Sequence, residues 1–376
     1  MPTQGRRLTR FTRFLVERDT TPRQQRAYFA VLLVLLAAVN YAEYVTPKPL
    51  RAVLAVFLVP LLGSLVLGVA RTAVLAVIAS ASVAVAYAVV VPDGNNVSEE
   101  AVALVSTCAL GLLAILISRL GDQRQLLLQQ ARTTAEAVQL ALLRKLPLRT
   151  KDFEVYGVYL AAEEYARVGG DLYEVIESPF GTRVLVADVR GKGLDAINAG
   201  ATVLSAFRVA GYEERDLAEL TRRMENSLDR YNEYAADAGQ EERHVTALLV
   251  EFDPSARLMR LVNCGHLEPY IVGRSGALEV GLGEAGLPLG FGSLVDDPER
   301  PVVELQLPPD AWMLMFTDGV TEARDEHGDF YPLARRLEGW TDLEPAALAK
   351  EIERDLGAYV GGRLQDDAAI LVVAAR

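Results

Sequence analysis

The chain is poor in the residues that bind soft metals or form cross-links. It has two cysteines and three histidines among 376 residues. Cys108 lies in an apolar run and Cys264 in a strand-like run, far apart and in no zinc-binding spacing. No disulfide is expected, and both thiols read as buried groups in a reducing compartment. Cationic side chains are in the minority, 38 Lys and Arg against 50 Asp and Glu, for a net charge of −12. So acidic a chain lacks the basic face that phosphate backbones need, which argues against nucleic acid as a partner. The segment Asp188-Val189-Arg190-Gly191-Lys192-Gly193 lacks the Lys-Ser/Thr ending of a P-loop, and no kinase catalytic-loop motif is present.

Apolar residues are abundant, 51% of the chain, and unevenly spread. Most of the excess lies in residues 27–118. Tyr28 to Tyr44 is apolar apart from Asn40 and Glu43, and Ala52 to Ala70, Thr72 to Val91 and Ala101 to Ser118 carry no charge. Each run approaches the roughly 17–25 residues of a bilayer span. A signal peptide would explain only the first, and no small-residue cleavage site follows it. Four transmembrane helices are therefore expected. Arginine sets their orientation: Arg6, Arg7, Arg10, Arg13, Arg18, Arg23 and Arg26 precede the first run, Arg71 divides the second from the third, and Arg119 and Arg124 follow the fourth. The third connector holds Asp93, Glu99 and Glu100 with no Lys or Arg. Both termini are then cytoplasmic in a multi-pass membrane protein. Lys48 and Arg51 oppose this and are outnumbered. The outer connectors, Val45–Leu50 and Pro92–Glu100, leave no room for an external sensory domain. Asn40 is a functional candidate as an intramembrane polar group, whereas Glu43 is placed to snorkel to water.

Arg119 to Leu146 contains one glycine, Gly121, and no proline before Pro147, which ends the expected helix. Leu120, Leu127, Ala131, Thr134, Val138, Ala141 and Leu142 form one apolar stripe. Two readings fit: a helix packed on its own domain, or a homodimeric parallel coil that carries a signal. Thr and Ala in the seam argue against a strong autonomous coil. The expected organisation is a basic arm (1–26), a four-span region (27–118), a linking helix (119–147) and a soluble domain (148–376).

In that last domain, four glycine-flanked segments place a carboxylate at or beside a strand-like run. They are Val168-Gly169-Gly170-Asp171, the Asp188 segment, Thr317-Asp318-Gly319 and Asp366-Asp367. Carboxylates at strand ends suggest one oxygen-ligand site, of the kind that hard cations such as Mg²⁺ or Mn²⁺ prefer. Strands are expected at Phe153–Leu160, Leu172–Glu177, Arg183–Val189, Val245–Phe252, Leu258–Val262, Pro269–Val272, Val302–Leu307, Trp312–Phe316 and Ala369–Val373. Helices are expected at Gly193–Val209, Leu217–Glu233 and Pro345–Leu356. The alternation fits two sheets, or one large sheet covered by helices.

Ordered motifs identify a family resemblance. Ala166-Arg167-Val168-Gly169-Gly170-Asp171-Leu172-Tyr173 and the Asp188 segment are followed by Val245-Thr246-Ala247-Leu248 and Asn263-Cys264-Gly265-His266. Gly286-Leu287-Pro288-Leu289-Gly290, Phe316-Thr317-Asp318-Gly319-Val320-Thr321-Glu322-Ala323 and Asp366-Asp367-Ala368-Ala369 complete the set. In this order they resemble the SpoIIE/RsbU-like branch of the PPM-type (protein phosphatase 2C-like) serine/threonine phosphatases, over about residues 130–376. The resemblance implies an α+β fold, an αββα sandwich with two Mn²⁺ or Mg²⁺ ions between sheet edges. It implies Asp188 as the ligand bridging both ions, with the Val189 carbonyl, Asp171, Asp318 and Asp366 as further ligands. Hydrolysis would proceed through metal-activated water without a phosphoenzyme. The substrate implied is a phosphorylated anti-sigma-factor antagonist of STAS type. The linking helix would correspond to the family's regulatory switch helix. Arg190 stands where a smaller residue is usual, and either contacts phosphate or faces solvent. Gly191 and Asp367 are accessory candidates. His244 stands where an aromatic residue is common. His266 either acts as a general acid or orders the cleft loop. The competing expectation is a catalytically weak membrane scaffold, which the intact aspartates oppose.

Overall fold

The structure is a computed structural model and describes residues 22–45, 54–90, 97–162, 170–253, 258–283, 286–292, 300–362 and 364–376. The expectations for Arg6, Arg7, Arg10, Arg13, Arg18, Lys48, Arg51 and Asp93, and for Ala166-Arg167-Val168-Gly169, lie outside the described residues. The chain forms two compact units, Met1–Ala131 and Arg132–Arg376.

The first unit contains α1 (Pro22–Val45), α2 (Leu54–Val66), α3 (Val69–Val90) and the first part of α4 (Val97–Leu142). Among the described residues, Arg23–Ala42 and Leu104–Leu127 are long and apolar enough to cross a membrane, while Val56–Val66 and Val69–Val85 are shorter apolar helices. Leu36, Val56, Val59, Ala79 and Val83 make a small core. Many other apolar side chains face outward, among them Val34, Val77, Val105 and Leu112. Cys108 is exposed, contrary to the expectation of a buried thiol. Thr107, Gly111, Ala114 and Ser118 recur on the covered face of α4, and Cys108 lies one residue, about 100°, off that face.

In the second unit α4 ends at Leu142, before Pro147. Leu143 turns into the core, with Leu146 packed against it. Side chains from the domain satisfy the freed carbonyls: Arg208 donates to Leu142 O at 2.7 Å and the Tyr173 hydroxyl to Arg144 O at 2.7 Å. The strands are β1 (Leu148–Arg149), β2 (Phe153–Leu160), β3 (Asp171–Ser178), β4 (Gly181–Val189), β5 (Val245–Asp253) and β6 (Leu258–Cys264). They continue as β7 (Tyr270–Gly273), β8 (Gly276–Glu279), β9 (Val302–Gln306), β10 (Ala311–Phe316) and β11 (Ala368–Ala375). The helices are α5 (Leu194–Glu213), α6 (Leu217–Asp237), α7 (Asp318–Thr321), α8 (Leu333–Leu337) and α9 (Pro345–Tyr359).

Two sheets form, in the orders β1-β2-β11-β10-β7-β8 and β3-β4-β5-β6-β9, with every pairing antiparallel. Alternation along β10 shows how they stack. Met313 and Met315 join the core between the sheets, while Leu314 and Phe316 join a second core with Leu348, Ile352 and Leu356 of α9. In β11, Leu371 and Val373 face the first core, and Ile370 and Val372 the second. Helices α5 and α6 pack on the other sheet through Leu204, Phe207, Leu220 and Met224. The result is an αββα sandwich.

Candidate metal centre

The centre lies where the two sheets present strand ends to each other. Antiparallel register sets Asp171, the first residue of β3, opposite Asp188 of β4, and Asp188 opposite Thr246 of β5. From the facing sheet, β10 stops at Phe316, and Asp318 opens α7. One carboxylate oxygen from each of Asp171, Asp188 and Asp318 lies within 4.8 Å of the others. Asp171 is buried and accepts a hydrogen bond from the Thr317 hydroxyl. Thr317 is itself tied to β11: its Oγ1 accepts from Ala369 N at 2.9 Å, and its N–H donates to Ala369 O at 3.1 Å.

Burial, followed by the charge of Asp188, pushes the Asp171 carboxyl well above the usual range. Asp188 is pushed up to about 7 by burial and then by Asp318 and Asp366. Asp318 is also raised, by burial and then by Glu322 and Asp366. Three oxygen donors, Asp171 buried and Asp188 and Asp318 half-buried, that repel one another without a cation fit a hard divalent ion. They also set a pH dependence. With its folded pKa raised, Asp188 keeps a proton that the unfolded chain has already released, so stability falls as pH rises from about 4 to about 7. Both tryptophans, Trp312 and Trp340, lie in this unit, so their fluorescence reports its unfolding. Urea melts in chelator should show the fall, and saturating Mn²⁺ should abolish or reverse it.

The other expected site residues are placed as follows. Asp366 is half-exposed and paired with Lys192 Nζ at 2.7 Å. Val189 N donates to Gly170 O at 3.1 Å, and a Cβ at Gly170 would stand 2.2 Å from Val189 O, so only glycine permits this approach. The Arg190 side chain is exposed, and Gly191 has φ +100°. Asp188, Val189, Arg190, Gly191, Lys192 and Asp366 border a cavity of about 360 Å³. Asp367 faces away from it: its carboxylate accepts from the Tyr159 hydroxyl and from Ala162 N at 2.8 Å.

His266 is buried. A carbonyl can only accept, so its Nε2 donates to Phe316 O at 3.1 Å, and its Nδ1 then accepts from the Thr246 hydroxyl at 3.0 Å. Burial lowers the ring's pKa to about 4. The imidazole is therefore neutral near pH 7 with both nitrogens engaged, which is the geometry of a residue that orders the cleft.

Three residues that sequence reasoning missed support the centre. In the sequence Thr317 stands only as the neighbour of Asp318. Gln139, on the last turns of α4, donates to the Tyr159 hydroxyl at 2.6 Å and to Asp171 O at 3.3 Å. Tyr159 thus links Gln139 to Asp367. An isolated polar residue on an otherwise mixed helix was the only signal for Gln139, and Tyr159 carried none.

An αββα sandwich with carboxylates gathered at facing strand ends is the architecture of the PPM-type phosphatases. The family described as Stage II sporulation protein E (SpoIIE) matches residues 178–376, and the chain belongs to that family. Among solved structures it is similar to the SiaA-PP2C domain of Pseudomonas aeruginosa, with 22% identity and a TM-score of 0.52, covering 67% of this chain and 97% of that one. It is also similar to the RsbU and RsbW domains of Rv1364c from Mycobacterium tuberculosis, with 22% identity and a TM-score of 0.47, covering 60% of each chain. The PP2C phosphatase domain and regulatory fragment of SpoIIE from Bacillus subtilis gives 18% identity and a TM-score of 0.47, covering 60% of this chain and 64% of that one. No significant match is found among curated proteins.

Proposed function

We propose that residues 148–376 form a metal-dependent protein serine/threonine phosphatase, anchored in the membrane by the helices before it. The observation that carries this reading is the gathering of Asp171, Asp188 and Asp318 within 4.8 Å. These residues would hold two Mn²⁺ or Mg²⁺ ions, with the Val189 carbonyl and Asp366 completing the donor set. Cations bound there supply Lewis acidity, which activates water and neutralises a phosphate dianion. The chain's own residues do the rest. Thr317 fixes the orientation of Asp171. Lys192 and Arg190 present positive charge at the cavity, and α5 begins just beyond, at Leu194, where a helix N-terminus favours an anion. Family membership supports a phosphorylated STAS-type anti-sigma-factor antagonist as substrate, with release of a sigma factor downstream. The test is hydrolysis of phosphoserine peptides by the detergent-solubilised full-length chain. Activity should vanish in chelator and return with Mn²⁺ or Mg²⁺. A folded protein inactive at every metal concentration would leave the scaffold reading.

Membrane anchoring draws support from the apolar helices and from their outward-facing Val and Leu side chains, which water would disfavour. The arginine distribution supports an orientation with both termini and the phosphatase in the cytoplasm. Reporter fusions after Arg26 and Arg124 should then read as cytoplasmic, and one at Asn95 as external. An external report from Arg124 refutes the orientation.

Gln139 supports a regulatory role for α4. Its amide touches the backbone of Asp171, so the position of the helix bears on the centre. Gln139→Ala should weaken Mn²⁺ activation about tenfold, the scale for residues that orient metal ligands. One residue inserted after Gln130 turns the following face by about 100° and should uncouple the apolar helices, while seven should nearly restore the phase. Equal metal titrations for wild type and both insertions would make α4 a passive tether.

A further inference from the structure

The cavity beside the carboxylates has two kinds of wall. One is polar and includes Asp188, Lys192 and Asp366; the other is made by His244, Pro288 and Phe291, which offer nothing to a hard cation. The His244 ring stacks on Phe291 with centroids 3.9 Å apart and planes 20° from parallel. His244 Nδ1 is buried without a hydrogen-bond partner. With no partner for that nitrogen, what the ring offers the cavity is its flat face, and a phenyl ring would offer the same without stranding a polar atom.

The strip Leu287–Gly292 that carries Pro288 and Phe291 belongs to no strand, and is joined to β5 only by the bridge between Leu289 and Val245. Such a glycine-rich strip would ordinarily be mobile. Here it is fixed from beneath. Glu225 of α6 accepts from Gly290 N at 3.0 Å and from Gly292 N at 2.6 Å. Arg300 pairs with Glu225 at 2.6 Å, both side chains being 5% exposed, and donates to Leu287 O at 3.2 Å and Pro288 O at 3.3 Å. Removing two charges from water carries a desolvation cost. In this case the pair's hydrogen bonds go to the strip, which holds an apolar wall open to solvent in one position. The cavity volume is near the lower limit for small-molecule pockets, which suits a fragment of peptide better than a larger ligand.

We propose that His244, Pro288 and Phe291 form a side-chain subsite that selects the residue flanking the phosphorylated one in a protein substrate, taking a branched or flat apolar side chain. The phosphate would lie toward Lys192 and the carboxylates, at the polar end of the same cavity. The proposal rests on the phosphatase reading and specifies its substrate class: phosphoserine or phosphothreonine next to an apolar residue.

The test uses the full-length chain and phosphoserine peptides with Leu, Ala or Glu at each flanking position. Wild type should favour Leu over Glu at one position by about tenfold or more in kcat/KM, the scale of discrimination in an apolar pocket. Phe291→Ala, with Phe291→Leu as a milder variant, should collapse that ratio chiefly through KM. His244→Phe keeps a flat ring and should retain the ratio without lowering the unfolding midpoint. Peptides bearing a non-hydrolysable phosphonate, followed by fluorescence anisotropy, measure the same preference without turnover. Failure of hydrolysis with the binding preference intact would sink the phosphatase reading and leave the subsite standing. No flanking preference in wild type, or an unchanged preference in folded Phe291→Ala, overturns the subsite.

Discussion

Asp188→Asn should lower metal-dependent phosphopeptide hydrolysis about a hundredfold or more, the scale of losing a principal electrostatic contribution at a reacting centre. Asp188 stands between Asp171 across the β3–β4 ladder and Asp318 from the facing sheet. One oxygen from each of the three carboxylates lies within 4.8 Å of the others, and Asp366 adds its charge at Asp188. The amide keeps the shape and removes the charge. The same change should leave the metal-free domain no less stable than wild type at pH 8, because burial and like-charge repulsion already disfavour ionised Asp188. Activity and stability therefore move separately, and Trp312 and Trp340 fluorescence can confirm that the variant is folded. Near-normal turnover in a folded variant would show that this aspartate does not hold the ions.

Gly319→Ala should be at least as disabling, for a steric reason. A Cβ at Gly319 would stand 1.7 Å from the Asp367 carbonyl oxygen, and both partners are main chain, so no rotamer relieves the clash. The segments carrying Asp318 and Asp366 would have to separate. The expected destabilisation is on the order of 3 kcal/mol, with loss of hydrolysis. Gly357→Ala in α9 is the control: nothing lies within 4 Å of the added carbon, so the domain should gain up to about 1 kcal/mol from the better helix former. Chemical melts followed by tryptophan fluorescence separate the two. Equal midpoints for the two variants would mean that the turn at Gly319 can relax.

The strands were the most legible part of the fold. Trp312–Phe316 and Ala369–Val373 are short apolar runs bounded by turn residues, and the structure extends the first by one residue at its start and the second by one at its start and two at its end. The number of sheets was not legible, because strands covered on both faces lose the alternation that would reveal a solvent side. Strand β8 was missed because Gly276–Glu279 is mostly exposed and is held chiefly by pairing with β7. Asp318, expected beside the strand that ends at Phe316, opens one helical turn, closed by a bond from Glu322 N to Asp318 O at 2.7 Å. Around the centre, aspartates beside glycines at strand ends stood out by composition. Their supporting residues did not. Tyr159 and Gln139 acquire a role only when β2, β3 and the end of α4 meet, and no local pattern encodes that meeting. The pairing of Lys192 with Asp366 was equally hidden, although both residues sat inside recognised motifs.

His266 has a mechanical consequence. Its ring runs from Thr246 on one sheet to Phe316 on the other, and Gln139 spans a second crossing, from Tyr159 to Asp171. With the Thr317 hydroxyl bonded to Asp171 and Lys192 paired with Asp366, the cleft is thus stitched at several points, one of them made by the last turns of α4. A hinge that opens the sheets would have to break all of them. The helix stitch can loosen alone, and that would change the gap by the slack of one amide while the rivet at His266 keeps the sheets in register. Control exerted through such a seam would act as a fine adjustment of ligand spacing, and the sandwich would stay closed in both the slow and the fast state.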